Sequence, residues 1–202
     1  MKYSVKFYLN LKWFDSRLTW LDLHESKSVN TLDPSELSSI WLPRLIFKNT
    51  EKELETKMDN STLVTVEKLT DYKLDPLAAH ETAHFMGSGN PISMSRIYTM
   101  DFLCRFQLQK YPFDTQTCRI VLSPVEKDLD FLDLRPFNIT YSGPQKMMTY
   151  TVMNYKIERQ GKLVVVTFKF KRMVSRQILS TFLPSVCILI IAQVFQPYSF
   201  PF

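Results

Sequence analysis

The stretch Cys104-Arg-Phe-Gln-Leu-Gln-Lys-Tyr-Pro-Phe-Asp-Thr-Gln-Thr-Cys118 decides the fold, because it reads as a loop between two strands. Apolar and polar residues alternate on both sides of the loop, which is the period of a half-buried strand. The apolar positions are Met100, Phe102, Cys104, Phe106 and Leu108 before the loop, and Cys118, Ile120 and Leu122 after it. A disulfide can close a loop of this length, which would stabilise the fold by about 3 kcal/mol.

The tip of the loop, Tyr111-Pro-Phe-Asp114, is predicted to be a contact surface, since it combines aromatic rings with a carboxylate. Pro112 suits a tight turn that can hold a cis bond. Thirteen residues separate the cysteines around an aromatic-Pro-Phe-Asp core. In these features the stretch resembles the signature loop of the Cys-loop receptors, the pentameric ligand-gated ion channels. The alternative is an ordinary disulfide hairpin in a secreted β domain.

The resemblance implies a disulfide between Cys104 and Cys118. It also implies a loop that couples the domain to the membrane, with the residues Tyr111, Pro112, Phe113, Asp114 and Arg172. We expect Asp114 to lie near Arg172 and to pair with a cation there, across the junction with the membrane domain. A surface pair of this kind contributes about 0–1 kcal/mol to stability.

Length and composition indicate one globular domain with mixed charges. The chain has 202 residues and a net charge of +5, with acidic and basic residues interspersed. No basic stripe with aromatic residues indicates nucleic-acid binding, and we expect no cofactor. Three cysteines leave an odd Cys187, which we expect to be a buried thiol because its segment is apolar.

The beginning of the chain predicts a strand that runs to Trp13. Apolar residues alternate with polar ones here, without the continuous apolar run of a signal peptide. A disulfide-bearing domain needs the secretory route, so we expect the leader and the first elements to be missing. Trp13-Phe-Asp-Ser-Arg-Leu-Thr-Trp20 continues the strand and resembles the second strand of the family. This likeness implies that Tyr8 is the ligand-binding aromatic residue of the complementary side.

Two further elements resemble glycine- and GABA-receptor-like invertebrate subunits of the family. Leu32-Asp-Pro-Ser-Glu-Leu37 predicts a short helical turn with Asp33 as its cap and Pro34 in the first position. Ile40-Trp-Leu-Pro-Arg-Leu45 resembles the Trp-x-Pro-Asp element of the family. Arg44 replaces the usual aspartate, so an ion pair of that aspartate is not expected here.

A zinc-peptidase motif is the competing signal. His80-Glu-Thr-Ala-His84 matches His-Glu-x-x-His, and a helix from Asp75 to Gly87 would place both histidines on one face. Asn90 stands at the third-ligand position and is a poor zinc ligand. We therefore expect no metal site, with His80 and His84 as weak candidates, and interpret the segment as an insertion loop between strands. The alternatives are an incidental zinc contact and a metallopeptidase.

The ligand site that the resemblance implies lacks an aromatic cage. Lys48 and Val125 stand where acetylcholine-type members of the family carry aromatic residues, which leaves Tyr8 and Tyr155 as candidates. A cage for a quaternary ammonium ion needs several aromatic faces, so we expect little or no response to acetylcholine. Residues 149–157 and 163–171 predict a strand pair, joined by a loop without the adjacent cysteine pair of acetylcholine-type principal subunits.

Two acceptor sequons, at Asn60 and Asn138, are candidate glycosylation sites of an extracellular domain. Beyond the strand pair, no charge lies between Arg176 and Phe202, and the apolar run is close to the ~20 residues that span a bilayer. Arg172 followed by a helix with an internal Leu-Pro resembles the family's entry into its first membrane segment. The alternative is a buried helix of a soluble domain.

These observations predict a mainly β fold, an immunoglobulin-like Greek-key β-sandwich followed by one C-terminal transmembrane helix. We assign residues 1–174 to a ligand-binding domain without its N-terminal part, 175–195 to the first transmembrane helix, and 196–202 to a truncated tail.

The predicted function is that of a truncated, non-enzymatic subunit of an extracellular ligand-gated ion channel in the plasma membrane. Its expected partners are a small neurotransmitter-like ligand, the other subunits of a pentamer and the membrane. Because the second membrane helix lines the pore in this family, we expect no ligand-dependent current from this chain alone. An alternative is a non-conducting ligand-binding or dominant-negative module.

Overall fold

The chain folds mainly into β-strands. A computed structural model describes residues 2–27, 29–51, 54–56, 62–70 and 83–195. The strands are β1 (Lys2–Trp13), β2 (Thr19–Leu21), β3 (Leu45–Phe47), β4 (Leu54–Glu55), β5 (Leu63–Val66), β6 (His84–Met86), β7 (Ile92–Leu103), β8 (Thr115–Pro124), β9 (Tyr150–Gln160) and β10 (Leu163–Arg172). The helical elements are α1 (Pro34–Leu37), a 3₁₀ turn (Glu126–Asp128), α2 (Val174–Gln177), a π-helical turn (Ile178–Phe182) and α3 (Leu183–Phe195).

The strands form three sheets, in the orders β4-β3-β8-β10-β9, β1-β7-β5 and β2-β6. In the five-stranded sheet β10 runs antiparallel to both β8 and β9, with Phe168 opposite Cys118 and Arg172 opposite Tyr150. Most neighbours in space are not neighbours along the chain, as in a Greek-key sandwich. The predictions of a mainly β sandwich and of the β9–β10 pair are confirmed.

The described residues belong to two compact units. The first lies within 1–3, 46–54 and 102–202, and the second within 4–45 and 55–101. In the first unit Phe102 is fully buried, as predicted, with its ring centroid 5.8 Å from that of Tyr3 and 6.0 Å from that of Phe47. Residues of β1, β7 and β3 thus share one core.

The second unit has its own core around Val64, Ile92 and Met94. Half-buried apolar residues that surround it are Leu11, Trp13, Leu18, Trp20, Leu32, Leu37 and Ile40. Next to this core, α1 begins at the predicted cap. The Asp33 backbone N–H donates to the Glu36 carboxylate at 2.8 Å in a capping box, which satisfies donors at the start of the helix.

Two predicted strands are shorter than their patterns indicate. β1 ends at Trp13, because Asp15 accepts hydrogen bonds from the Arg17 backbone at 3.1 Å and from its guanidinium at 2.9 and 2.6 Å, which closes a turn before β2. β7 ends at Leu103 rather than at Leu108, whose side chain is exposed. The chain turns there instead of continuing the sheet.

One helix in the described part of the chain, Val174–Phe195, has the length and apolar composition to cross a membrane. The π-helical turn ends two residues before Pro184, whose missing N–H and ring interrupt the regular helical bonds. Side chains along α3 are exposed, so it is not the core helix of the described domain. Cys187 is free but exposed, so its predicted burial is wrong, because α3 packs on no described element at that point.

Candidate functional site

The loop between β7 and β8 is closed at its base. A disulfide joins Cys104 to Cys118, with 5.3 Å between their Cα atoms. At the tip, the Tyr111 N–H donates to the carbonyl of Leu108 at 3.0 Å, and the Tyr111–Pro112 peptide bond is cis. The ring of Phe113 is 68% exposed, so the tip presents an apolar face to its surroundings.

Asp114, the last residue of the tip, forms a buried ion pair with Arg172 at the end of β10. Arg172 Nε donates to Asp114 Oδ1 at 2.5 Å, and Nη2 donates to Oδ2 at 3.0 Å. The side chains are 1% and 9% exposed, respectively. The Arg172 backbone N–H also donates to the Asp114 carbonyl at 3.2 Å. The expected proximity is therefore observed, but the pair is buried rather than on the surface, and Arg172 itself is the cation.

Gln116 also binds the Asp114 carboxylate. Its Nε2 donates to Asp114 Oδ2 and, at 2.9 Å, to the carbonyl of Gln107. Its Oε1 accepts the Gln107 backbone N–H at 2.9 Å. The Gln116 side chain thus binds the N–H and the carbonyl of Gln107, which would pair with a neighbouring strand if β7 were longer. That is why β7 stops early and the loop folds back over Asp114.

Two tyrosine rings enclose the guanidinium of Arg172. Its central carbon lies 4.9 Å from the ring centroid of Tyr111 and 4.6 Å from that of Tyr150, both within cation–π range. Arg172 Nη2 also donates to the Tyr150 hydroxyl. A planar guanidinium can stack on two rings and bind a carboxylate in its plane at the same time, which an ammonium group cannot do.

The electrostatics keep the pair ionised. The hydrogen bond from Arg172 lowers the pKa of Asp114, against the opposing effect of burial, and the bond from Gln116 lowers it further. The hydrogen bond to Asp114 raises the pKa of Arg172. Burial raises the pKa of Tyr150, so its hydroxyl is protonated at neutral pH. These groups do not exchange protons near neutral pH, so the ion pair and its contacts with the two tyrosine rings do not depend on pH in that range.

The same cluster contacts the start of the apolar helix. The rings of Tyr111 and Phe182 are stacked, with centroids 6.4 Å apart. Phe182 is the last residue of the π-helical turn. On the other side, the Met173 N–H donates to the carbonyl of Thr149 at 2.9 Å, and Arg176 Nη1 to that of Met148 at 3.1 Å. The loop, β9, β10 and the helix therefore meet at one place.

The candidate ligand-binding tyrosines differ in their surroundings. Tyr8 in β1 is 67% exposed on the polar face of its strand, in the second unit. Tyr155 in β9 is 36% exposed, in the first unit, with its ring centroid 5.8 Å from that of Tyr141 and 6.5 Å from that of Phe168. Tyr8 is accessible to a ligand or a neighbouring chain, and Tyr155 belongs to an aromatic cluster at the sheet surface.

Other predicted positions are placed as follows. Lys48 is exposed after β3, and Val125 comes directly before the 3₁₀ turn. Arg44 lies 3.8 Å from Glu55 in an exposed ion pair. Asn138 is exposed, whereas Asn60 lies outside the described residues.

His84 does not lie in the helix that the His-Glu-x-x-His alternative requires, and the interpretation of the segment as an insertion loop is wrong from His84 to Met86. His84 starts strand β6, where it pairs with Leu21 of β2, and His80 lies outside the described residues. Asn90 is fully buried, and its Oδ1 accepts N–H bonds from Leu69 at 2.9 Å and Thr70 at 3.2 Å. Asn90 therefore supports the backbone, and the strand geometry at His84 does not fit the motif's helical zinc site.

Sequence reasoning missed Tyr150, Gln116 and Phe182. The turn at Gly161 alone would place Thr151 opposite Arg172, and Tyr150 takes that position only because the register shifts between Lys169 and Phe170. Gln116 lies two residues from Asp114 on the same strand face, which is a weak signal. No sequence pattern marks Phe182, because its ring is one of many apolar side chains in the helix.

Comparison with known proteins gives one family. Residues 1–181 match the family described as "Neurotransmitter-gated ion-channel ligand binding domain". A gamma-aminobutyric acid receptor subunit beta of Lymnaea stagnalis is 25% identical over 213 residues, covering 96% of this chain and 39% of the relative. A gamma-aminobutyric acid receptor subunit pi of Bos taurus is 26% identical over 207 residues, covering 96% and 42%. The chain thus spans about two-fifths of the length of these curated relatives.

Proposed function

Because the chain belongs to the neurotransmitter-gated ion-channel ligand binding domain family, we propose that it acts in a ligand-gated ion-channel subunit of the plasma membrane. Residues 1–174 form the extracellular domain, 175–195 the first membrane helix and 196–202 the segment that follows. The observation that carries the proposal is the buried pair of Asp114 and Arg172. It fastens the disulfide loop to the strand that continues into the helix.

The mechanism is allosteric rather than catalytic. A ligand at the boundary between two subunits changes the packing of the sheets, and the disulfide loop passes this change to the membrane helix. Support comes from the rigidity of the link, since Arg172 is bound by Asp114 and enclosed by two tyrosines. A displacement of the loop therefore moves the end of β10. Pentameric assembly with other subunits is part of the same proposal.

The ligand is an amino-acid-type transmitter rather than acetylcholine. Two features support this choice: the relatives are gamma-aminobutyric acid receptor subunits, and the side chain at Lys48 is an exposed cation. Tyr8 and Tyr155 are the candidate aromatic contacts. A cation at the site favours a ligand carboxylate and disfavours a quaternary ammonium group.

The test is electrical recording from oocytes that express the complete receptor polypeptide containing this chain. Gamma-aminobutyric acid or glycine should evoke a current, and acetylcholine should not. Asp114→Ala should abolish the current, even when the current is normalised to the surface protein that biotinylation measures. The matched control is Glu51→Ala, which removes an exposed ion pair with Lys2 in the same unit.

Equal currents from the Asp114→Ala and Glu51→Ala receptors at equal surface expression would refute the coupling role. A robust response to acetylcholine would refute the assignment of ligand class. In that case aromatic contacts from outside Tyr8 and Tyr155 would have to complete a cage.

A further inference from the structure

We propose that Asn138 is an N-glycosylation site that carries an oligosaccharide on its side-chain nitrogen. The proposal rests on the proposed function, because the modifying enzyme acts on the luminal side of the secretory membrane, which becomes the extracellular side. Asn138-Ile-Thr140 satisfies the acceptor rule, which requires Ser or Thr two residues after Asn and no proline between them. The structure adds three observations about access.

The first observation is the side on which the acceptor residues lie. Asn138 and Thr140 are exposed, and Ile139 between them is half-buried. This alternation is that of an extended segment, in which residues two apart share a side. The amide and the hydroxyl that the transferase must recognise together are therefore both presented to solvent.

The second observation is the hydrogen bonding of the Asn138 side-chain amide. Asn138 Oδ1 accepts the Ile139 backbone N–H at 2.8 Å, which fixes the orientation of the side chain. Within the part of the chain that the structure describes, Nδ2 has no hydrogen-bond partner. The nitrogen that becomes glycosylated can thus be approached without breaking a protein contact.

The third observation is the backbone. Residues 132–142 carry no helix or strand, so a transferase can bind the segment without breaking a sheet. The neighbouring Phe137 is 100% exposed, so no described element covers the approach. Exposed segments outside regular structure are where such modifications are usually accepted.

The chemical step is a glycosyl transfer from a lipid-diphosphate-linked oligosaccharide, the co-reactant. A bond forms between Asn138 Nδ2 and the anomeric carbon of the first sugar. The bond between that carbon and the diphosphate oxygen breaks, and the lipid diphosphate leaves with the electron pair. One Nδ2 proton passes to a base of the transferase, so no oxidant or reductant is needed.

The test is cell-free translation of the 202-residue chain, behind a cleavable leader, with endoplasmic-reticulum microsomes. Every arm carries Asn60→Gln, so that the second sequon cannot contribute. The expected result is a single shift to lower electrophoretic mobility that N-glycosidase reverses. Asn138→Gln and Thr140→Ala should each lose the shift, whereas Thr140→Ser should keep it, since serine also satisfies the rule. A shift that persists in Asn138→Gln would overturn the proposal.

A control sequon separates this proposal from the proposed function. Gln160→Asn combined with Lys162→Thr creates an acceptor in the exposed β9–β10 turn. If that site is modified and Asn138 is not, the domain is luminal and the Asn138 proposal is wrong. If the leader is cleaved and neither site is modified, the chain has reached the lumen without accepting a glycan, and the Asn138 proposal is wrong.

Discussion

Removal of either partner from the Asp114–Arg172 pair is expected to destabilise the fold by about 3–5 kcal/mol, because it leaves one buried charge uncompensated. The figure follows from burial, since the two side chains are 1% and 9% exposed. An exposed pair would contribute only about 0–1 kcal/mol. Arg172→Lys keeps the charge but cannot form both hydrogen bonds, so it should cost about 1.5–3 kcal/mol.

A double-mutant cycle isolates the interaction. Asp114→Ala and Arg172→Ala should each be strongly destabilising, and the double variant should cost less than their sum, because it removes both charges together. The expected coupling energy is about 2–3 kcal/mol, near the upper end for directly contacting residues. The matched control is the pair of Lys2 and Glu51, whose charged atoms are 2.6 Å apart but whose side chains are 49% and 67% exposed.

The assay is urea unfolding of the complete chain in detergent micelles, followed by far-ultraviolet circular dichroism. The control pair should show a coupling energy below about 1 kcal/mol. If the coupling energies of the two pairs are equal, burial does not set the strength of the Asp114–Arg172 pair, and the reasoning fails.

Three further predictions concern the same fold. Because Arg172 lowers the folded-state pKa of Asp114 below its ordinary 3.8, the stability difference between the wild type and Asp114→Asn should be complete above about pH 5 and shrink as the pH falls further; a constant difference down to about pH 2 would contradict this. Replacing Cys104 and Cys118 together by serine should cost about 3 kcal/mol in urea unfolding, and an unchanged midpoint would count against it. Gly87→Ala should lower the melting temperature, because its Cβ would lie 2.2 Å from the backbone oxygen of Asp15; Gly89→Ala, which meets a Thr70 methyl group, is the milder control.

Periodicity predicted the fold where a side chain's environment depends on its own strand. Cys118, Ile120 and Leu122 alternate in sequence and are all buried in β8. The Asp33 cap was also predictable, since a capping box involves residues only three apart. Local signals of this kind depend only on residues a few positions apart, so they can be recognised in a single sequence.

The errors arose where distant groups decide the local structure. The alternation continues to Leu108, but the Gln116 side chain binds the backbone of Gln107 and β7 ends at Leu103. The segment before Gly87 was interpreted as an insertion loop, but His84–Met86 forms a strand by pairing with β2, which lies about sixty residues earlier in the chain. The edge of a sheet presents unpaired N–H and C=O groups, and a segment distant in sequence can pair with them.

The strength of the Asp114–Arg172 pair could not be predicted for the same reason. The sequence places a carboxylate in a loop and an arginine before a membrane helix, a setting in which both would be solvated and weakly coupled. Burial comes from Tyr111, Tyr150 and Gln116, which approach from the loop, from β9 and from β8. Each of them removes water from the ions and replaces it with a ring face or a hydrogen bond. The pair is therefore a property of three converging elements, and any displacement of the disulfide loop must either move β10 or expose two charges.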